Sequence, residues 1–125
     1  MRKSIVALLS ALAVAAVTSV AAQSAPVKIV DGVLTNAAGM TLYTFDKDTA
    51  ASGKSVCNGP CAANWPPLMA AADAKPGGDF SVVTRDDGAK QWAYKGMPLY
   101  LWVKDTKPGD RTGDGVGNVW RVAKN

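Results

Sequence analysis

Two stretches of the chain decide its fold because they are copies of one another: GMTLYTFDKDT at residues 39–49 and GMPLYLWVKDT at residues 96–106. Seven of the eleven positions are identical, and such self-similarity is the signature of a repeated structural unit. The constant shift that carries Gly39 onto Gly96 is here named the repeat offset. Each copy follows a β-rich stretch with an Asp-Gly turn and precedes a polar loop that ends at a tryptophan. We therefore predict two related halves, about 27–72 and 79–124, joined by a linker at 70–78.

The hydrophobic periodicity of both halves is that of strands. Short β-branched or aromatic runs alternate with turn residues, and no window keeps a helical stripe over about 11 residues. We predict an all-β fold, a small antiparallel domain of two β repeats with a pseudo-two-fold relation, because neither half is large enough to bury a core alone. The expected strands are 27–30, 33–35, 40–45, 80–85, 89–94, 98–103 and 118–123.

Each motif copy presents an aliphatic and an aromatic face, because side chains alternate along a strand. The aliphatic face, with Leu99, Leu101 and Val103 in the second copy, is the predicted core. The aromatic face has two interpretations: a second core layer, or an exposed platform for a sugar ring or another planar ligand. An aspartate follows each strand, where it can hold turn amides or accept the tyrosine hydroxyl of its own repeat. The candidate ligand-binding residues are Tyr43, Phe45, Asp48, Tyr100, Trp102 and Asp105.

The N-terminus has the pattern of a secretory signal peptide. Two basic residues precede an apolar run at 5–20, and small residues follow it. We predict a signal peptide at 1–22 that is removed before Gln23 or Ser24, leaving a single β domain at 23–125. No membrane anchor would remain after cleavage, and the location would be periplasmic or secreted.

The expected compartment determines how Cys57 and Cys61 are interpreted. An oxidising compartment favours a disulfide between two lone cysteines, and closing so short a loop stabilises a fold by about 2 kcal/mol in the chain-entropy model. A redox dithiol or a copper site is the alternative, in which Met40, Met69 or Met97 would supply thioethers. Beside leucines on a strand, Met40 and Met97 fit core filling better.

The loop at 105–118 suggests a calcium site, because it brings carboxylates and an amide together with glycines. It lacks the Asp-x-Asp-x-Asp-Gly register and the final glutamate of an EF-hand. A hydrogen-bonded turn and a weak cation site are therefore both open. The candidate ligands are Asp105, Asp110, Asp114 and Asn118.

The composition argues against several functions. The chain contains no histidine and no glutamate, which supply most general-base and metal-site chemistry. We therefore expect no enzyme and no cofactor. Without residues 1–22, 12 basic residues face 10 acidic ones, and the basic residues are scattered. That balance does not favour a nucleic-acid partner.

The pattern Tyr-x-aromatic-x-x-Asp occurs at 43–48 and again at 100–105. Together with the cysteine-containing stretch at 57–68 and the Gly-rich stretch before Trp120, it closely resembles the bacterial secreted repeat family, also described as predicted lipoproteins with a conserved Yx(FWY)xxD motif. The resemblance implies an extracytoplasmic location, tandem repeats and no established activity. The chain departs from the family in two ways. It lacks the lipidation cysteine that many relatives carry, and it has Arg121 where relatives often have histidine.

The sequence thus predicts a non-catalytic binding or interaction module of the cell envelope, whose partner would be an envelope protein or polysaccharide. The alternative is a periplasmic metal-binding or redox-stress protein that uses Cys57 and Cys61, the methionines or the Asp-rich loop.

Overall fold

The computed structural model describes residues 24–125, so the predicted signal peptide at 1–22 lies outside the described residues. Seven short strands, one short α-helix and one 3₁₀ turn follow each other along these residues. Their bounds are β1 Val27–Val30, β2 Val33–Asn36, β3 Tyr43–Phe45, α1 Pro60–Asn64, β4 Phe80–Thr84, β5 Lys90–Tyr94, β6 Met97–Pro98, the 3₁₀ turn Val116–Asn118 and β7 Trp120–Val122.

Each repeat begins with an antiparallel hairpin, β1–β2 in the first and β4–β5 in the second. In the first hairpin Asp31 and Gly32 form the turn with φ of 53° and 81°. Two positive φ angles define the type I′ turn that an Asp-Gly pair favours and that matches the twist of the flanking strands. The second hairpin has a longer turn, closed by the Arg85 amide donating to the Ala89 carbonyl at 2.8 Å.

The last strand of each repeat joins the sheet of the other repeat. β7, from the second repeat, pairs antiparallel with β3 of the first. In the reciprocal place, Pro67 of the first repeat forms an antiparallel bridge with Tyr100 of the second. The two halves are therefore intertwined, and neither completes its own sheet.

A three-way ring of backbone hydrogen bonds marks the exchange in each half. In the first, Leu42 donates to Leu34, Leu34 to Ala123 and Ala123 back to Leu42, at 2.8–3.0 Å. The same ring recurs in the second half at 2.8–2.9 Å, through Leu99, Trp92 and Leu68. In each ring, two residues come from one repeat and the third comes from the other.

The core has an aliphatic and an aromatic part. The first includes all six ring residues, among them Leu34, Leu42 and Leu99, which are fully buried. The second is built on the tyrosines of the two motifs and on Trp65 and Trp120. The prediction of an all-β domain of two repeats with small antiparallel sheets is confirmed.

Most of the predicted strands are shorter than expected, and the two motif strands show the reason. The expected strand 40–45 survives as Tyr43–Phe45 with an isolated bridge at Thr41, and 98–103 is reduced to β6 and the bridges of Tyr100. After Tyr100 the chain leaves the sheet, with Val103 donating to the Asn64 carbonyl at 3.1 Å. The expected alternation therefore ends early, and Val103, predicted in the core, is exposed.

The helix α1 was not expected. It is only five residues long, too short for a periodic stripe, and it begins at Pro60 in the first turn, where the missing N–H of proline removes no helical hydrogen bond. The segment 70–78, predicted as a linker, contains a turn in which Ala74 donates to the Ala71 carbonyl at 3.0 Å.

Candidate functional site

The two motif copies pair with each other through the backbones of their tyrosines. Tyr43 donates its backbone N–H to the Tyr100 carbonyl at 2.8 Å, and Tyr100 returns the bond at 2.9 Å. These two tyrosines are related by the repeat offset, so each copy pairs with its own equivalent. The pseudo-two-fold axis therefore passes between them.

Each motif tyrosine bonds to the aspartate of the other repeat. The Tyr43 hydroxyl donates to Oδ2 of Asp105 at 2.6 Å, and the Tyr100 hydroxyl donates to Oδ2 of Asp48 at 2.5 Å. The expectation that each aspartate accepts the tyrosine of its own repeat is therefore wrong. The pairing crosses because the two tyrosines face each other across the axis, so that each ring reaches the loop that ends the opposite motif.

The second carboxylate oxygen of each aspartate holds the loop that follows its own motif. Oδ1 of Asp48 accepts the Val56 amide at 2.8 Å. Oδ1 of Asp105 accepts the Thr112 amide at 3.0 Å and its hydroxyl at 2.6 Å. Each aspartate thus connects a tyrosine of one repeat to a loop of the other.

Burial changes the acid–base behaviour of this arrangement. Burial, and next the bond to the opposite aspartate, raises the pKa of Tyr43 and of Tyr100 well above the usual range of a phenol. Burial also raises the pKa of Asp48 above its ordinary value of 3.8, against the lowering effect of the bonds from Tyr100 and Val56. Both tyrosines are therefore neutral donors at any physiological pH.

Four aromatic rings form a continuous stack beside the tyrosines. Trp65 and Trp120 lie parallel at the centre, with ring centroids 3.8 Å apart and an interplanar angle of 4°. Phe45 stacks on Trp120 at 4.2 Å, and Trp102 stacks on Trp65 at 3.8 Å. Phe45 and Trp102 are equivalent motif positions, so the stack obeys the same pseudo-two-fold relation.

The burial of these residues distinguishes between the two interpretations of the aromatic face, a core layer and an exposed platform. Of the six candidate ligand-binding residues, five are buried, and Trp102 is half-buried at the end of the stack. The structure places the aromatic face in a second core layer, since both tyrosines have no exposed surface. Ligand binding through the remaining surface of Trp102 stays a prediction.

The four candidate metal ligands of the 105–118 loop have separate roles. Asp105 is buried against Tyr43, while Asp110 accepts the amides of Thr106 and Lys107 at 2.9 and 3.2 Å. Asp114 accepts the Val122 amide at 3.2 Å. Asn118 adopts a positive φ of 59° at the end of the 3₁₀ turn. Within residues 24–125, no three acidic or cysteine side chains gather closely enough to hold a metal ion.

The two cysteines form the predicted disulfide, with Cα atoms 5.2 Å apart. Cys57 is fully buried, and the bridge ties the chain before α1 to its first turn. Met69 is exposed, whereas Met40 and Met97 are half-buried.

A buried arginine, which sequence reasoning missed, extends the Asp48 site. Arg85 donates to Oγ of Ser55 at 3.0 Å and to Oε1 of Gln91 at 2.7 Å, and it also bonds the Cys57 carbonyl. Since Tyr100 gives its only proton to Asp48, Ser55 donates to the Tyr100 oxygen across 2.6 Å. A chain of hydrogen bonds therefore joins a buried cation to a buried carboxylate through two hydroxyl groups.

The internal repeat could have indicated the hydroxyl residues of this site. The repeat offset carries Ser55 onto Thr112, so it marks a hydroxyl residue in both loops, and both contact the Tyr–Asp pairs. Nothing in the local sequence distinguishes Arg85 from an exposed turn residue. Its burial depends on the loop of the first repeat that covers it.

Residues 24–125 form two concave surfaces of the size that holds a small ligand. The larger, here named the disulfide cleft, has a volume of about 470 Å³ and lies beside α1. Its lining includes Asn58, Pro67, Met69, Arg85, Asp86 and Asp87. The smaller, here named the repeat-one groove, has a volume of about 300 Å³. Its lining includes Val30, Val33, Thr35, Thr41, Pro108 and Arg111.

Fold and site together define a class of protein: a disulfide-bridged β module in which two intertwined repeats are joined by reciprocal Tyr–Asp pairs. The chain belongs to a family described as a secreted repeat of unknown function, whose model matches residues 27–69 and 81–124. The resemblance drawn from the motifs is thereby confirmed, and the protein is a secreted repeat protein.

The other comparisons add no relative. No curated protein and no solved structure matches the chain significantly. None of the helices within residues 24–125 has the length and hydropathy that crossing a bilayer requires.

Proposed function

We propose that the protein is a non-catalytic binding module of the bacterial periplasm or cell surface, and that it holds an envelope polysaccharide in the disulfide cleft. One observation carries the proposal: the motif tyrosines and aspartates are buried and bonded to one another, whereas the cleft is lined by both polar and apolar residues. The motif thus builds the scaffold, and the cleft is the larger of the two concave surfaces described above.

The state of the buried aspartates supports a function without catalysis. Asp48 and Asp105 are the two carboxylates that the pseudo-two-fold relation brings to equivalent places. Both oxygens of each accept hydrogen bonds, and both side chains are shielded from solvent. A general acid or base needs access to the proton that it transfers, and neither group has it.

The chemistry of the cleft supports a carbohydrate ligand. Sugar hydroxyls donate and accept hydrogen bonds. The amide of Asn58 donates to the carboxylate of Asp86 at 3.2 Å, and both groups are exposed at the cleft, where a sugar hydroxyl can join this bond. Met69 and Pro67 provide apolar surface for the faces of a sugar ring. The volume of about 470 Å³ falls in the range of small-molecule sites.

Cosedimentation with insoluble peptidoglycan tests the proposal directly. Met69→Arg places a long charged side chain in the cleft, and Val103→Arg makes the same change at a matched site, since both residues are about half exposed (54% and 49%) and Val103 lines neither concave surface. We expect the unmodified protein and Val103→Arg to sediment with peptidoglycan, and Met69→Arg to stay in the supernatant.

Four outcomes would overturn the proposal. Recovery of the unmodified protein entirely in the supernatant would remove polysaccharide binding, and equal behaviour of the two arginine variants would separate binding from the cleft. Release of soluble sugar fragments from the pellet would show turnover and contradict a non-catalytic role. Retention on an envelope protein without retention on polysaccharide would assign a protein partner instead.

A further inference from the structure

The face of the second repeat that corresponds to the repeat-one groove is covered by the loop that follows the first motif. The repeat offset relates Pro108 to Ala51, whose backbone N–H donates to the Gly96 carbonyl at 2.9 Å. This bond holds the first loop against the turn that precedes the second motif. Pro108 likewise lies close to Gly39, the equivalent of Gly96: a Cβ atom placed on Gly39 would be 3.2 Å from the Cβ of Pro108. Because proline has no N–H, Pro108 cannot donate the corresponding bond to Gly39.

The floor of the groove contains a buried polar group that has no partner among residues 24–125. Val33, Thr35 and Thr41 are at most 5% exposed and face the groove from the sheet. Thr35 donates its hydroxyl to the Asn36 carbonyl at 3.1 Å. The Thr41 hydroxyl bonds to none of the residues 24–125. Because buried polar groups almost always have a hydrogen-bond partner, this hydroxyl points to a ligand atom at the floor of the groove.

The rim of the groove carries a cation that is open to a ligand. Arg111 lines the groove and is exposed, and it takes part in none of the ion pairs among residues 24–125. The carboxylate next to it, Asp110, is instead engaged by Thr106 and Lys107. A guanidinium in this position is suited to a carboxylate, which it can bind with two parallel hydrogen bonds.

We propose that the repeat-one groove binds a small amphipathic monocarboxylate, with its apolar chain between Val30, Val33 and Pro108 and its carboxylate on Arg111. The Thr41 hydroxyl donates to an oxygen of the same carboxylate. The groove volume of about 300 Å³ lies at the lower end for small-molecule sites and limits the ligand to a short chain or a single ring. This site is separate from the disulfide cleft.

Titration of the ¹⁵N-labelled protein with hexanoate and with hexanamide tests the proposal, because the two probes share one alkyl chain and only hexanoate is negatively charged at the polar end. We expect saturable chemical-shift changes at the amides of Gly39, Thr41 and Arg111 with hexanoate. Arg111→Gln should weaken hexanoate binding about tenfold and leave hexanamide binding within about twofold. The matched control is Lys54→Gln, at the position that the repeat offset relates to Arg111, and it should change neither affinity.

Thr41→Val separates the hydroxyl from the fold. The substitution keeps the shape and removes a buried hydroxyl that bonds to no other group of residues 24–125. The variant should therefore be at least as stable as the unmodified protein and still bind hexanoate more weakly. Unchanged hexanoate affinity in this variant would remove the assigned role of Thr41. Equal binding of the two probes, equal effects of Arg111→Gln and Lys54→Gln, or an absence of saturable shifts in the groove would overturn the proposal.

The proposals for the two surfaces can be refuted independently of one another. Loss of hexanoate binding with peptidoglycan retention intact would leave the proposed function in place and remove only the groove ligand. The reverse result would keep the groove and remove the polysaccharide.

Discussion

The two repeats share one core but differ in how the equivalent face of each sheet is covered. Val83 in the second hairpin is 3% exposed, while Val30, at the matching place in the first hairpin, is 49% exposed. Above Val83 lies the Arg85–Ser55 network, and above Val30 lies the open groove beside Arg111. The motif therefore specifies the core, and the loops that follow each motif specify which surface stays open.

The largest expected effect tests the shared core. Trp65→Ala and Trp120→Ala each remove the centre of the aromatic stack, so each should lower the free energy of unfolding by about 3–5 kcal/mol. The two losses should agree within about 1 kcal/mol, because residues in equivalent, equally packed places lose similar contacts on truncation. Urea unfolding followed by circular dichroism measures both.

Trp102→Ala is the control for this pair. Trp102 is half-buried at the end of the stack, and its substitution should cost clearly less stability than that of Trp65. A loss at Trp102 as large as at the centre would contradict the idea that the central pair organises the core.

The second prediction compares Arg85, which is buried over the closed face, with Arg111, which is exposed at the rim of the open one. Arg85→Met leaves the buried Gln91 oxygen and the Cys57 carbonyl without their charged donor, so it should lower the free energy of unfolding by about 3 kcal/mol. Arg111→Met changes an exposed side chain and should stay within about 0.5 kcal/mol of the unmodified protein. Similar unfolding midpoints in urea for the two variants would remove the distinction between the closed and the open face.

The third prediction concerns the disulfide, which only the first repeat has. The repeat offset carries Cys57 and Cys61 onto Asp114 and Asn118, so the second loop has no cross-link. The double variant Cys57→Ala, Cys61→Ala should lower the free energy of unfolding by about 2 kcal/mol. Reduction of the unmodified protein should give the same shift of the urea midpoint, and no shift in either experiment would show that the short loop is already ordered without the bridge.

The fourth prediction is that the free energy of unfolding depends on pH through Asp48, the aspartate of one of the two crossed Tyr–Asp pairs. Burial raises the pKa of Asp48 above 3.8, so between the unfolded and the folded pKa the folded state binds more protons. The stability contributed by Asp48 is therefore present at low pH and is lost as pH rises through the folded pKa. Relative to Asp48→Asn, the unmodified protein should lose stability over that rise, as measured by urea unfolding at a series of pH values.

Asp110→Asn is the control of opposite sign. Hydrogen bonds from Thr106 lower the pKa of Asp110, so its contribution is present above the unfolded pKa and is lost as pH falls. If both variants change the pH profile in the same direction, the assignment of the Asp48 shift to burial is wrong.

The internal repeat allowed much of the fold to be predicted from the sequence. The repeat offset identified the two halves, and the Asp-Gly pair located the first hairpin turn. The offset does not reveal that the last strand of each half crosses to the other. That exchange depends on long-range hydrogen bonds such as Leu68 to Leu99, for which a local pattern of apolar residues carries no information.

The site could be predicted only as a set of residues, and not as an arrangement. The motif named both tyrosines and both aspartates, but their crossed pairing follows from the position of the two-fold axis between Tyr43 and Tyr100. The burial of Arg85 and the groove at Pro108 could not be predicted, since both depend on how a loop of one repeat lies against a strand of the other.

The smallest expected effect tests why the first face is open. Pro108→Ala supplies the N–H that the second repeat uses at Ala51, and a new bond to the Gly39 carbonyl would contribute about 0.5–1.5 kcal/mol. Loss of proline increases the entropy of the unfolded chain and offsets this by about 0.4–1 kcal/mol. The free energy of unfolding should therefore change by less than about 1 kcal/mol, while the new amide at position 108 becomes protected from hydrogen exchange and hexanoate binding weakens. An unprotected amide there, with unchanged hexanoate affinity, would show that the missing N–H is not what keeps the groove open, and the difference between the halves would then lie in Arg85 and Ser55 alone.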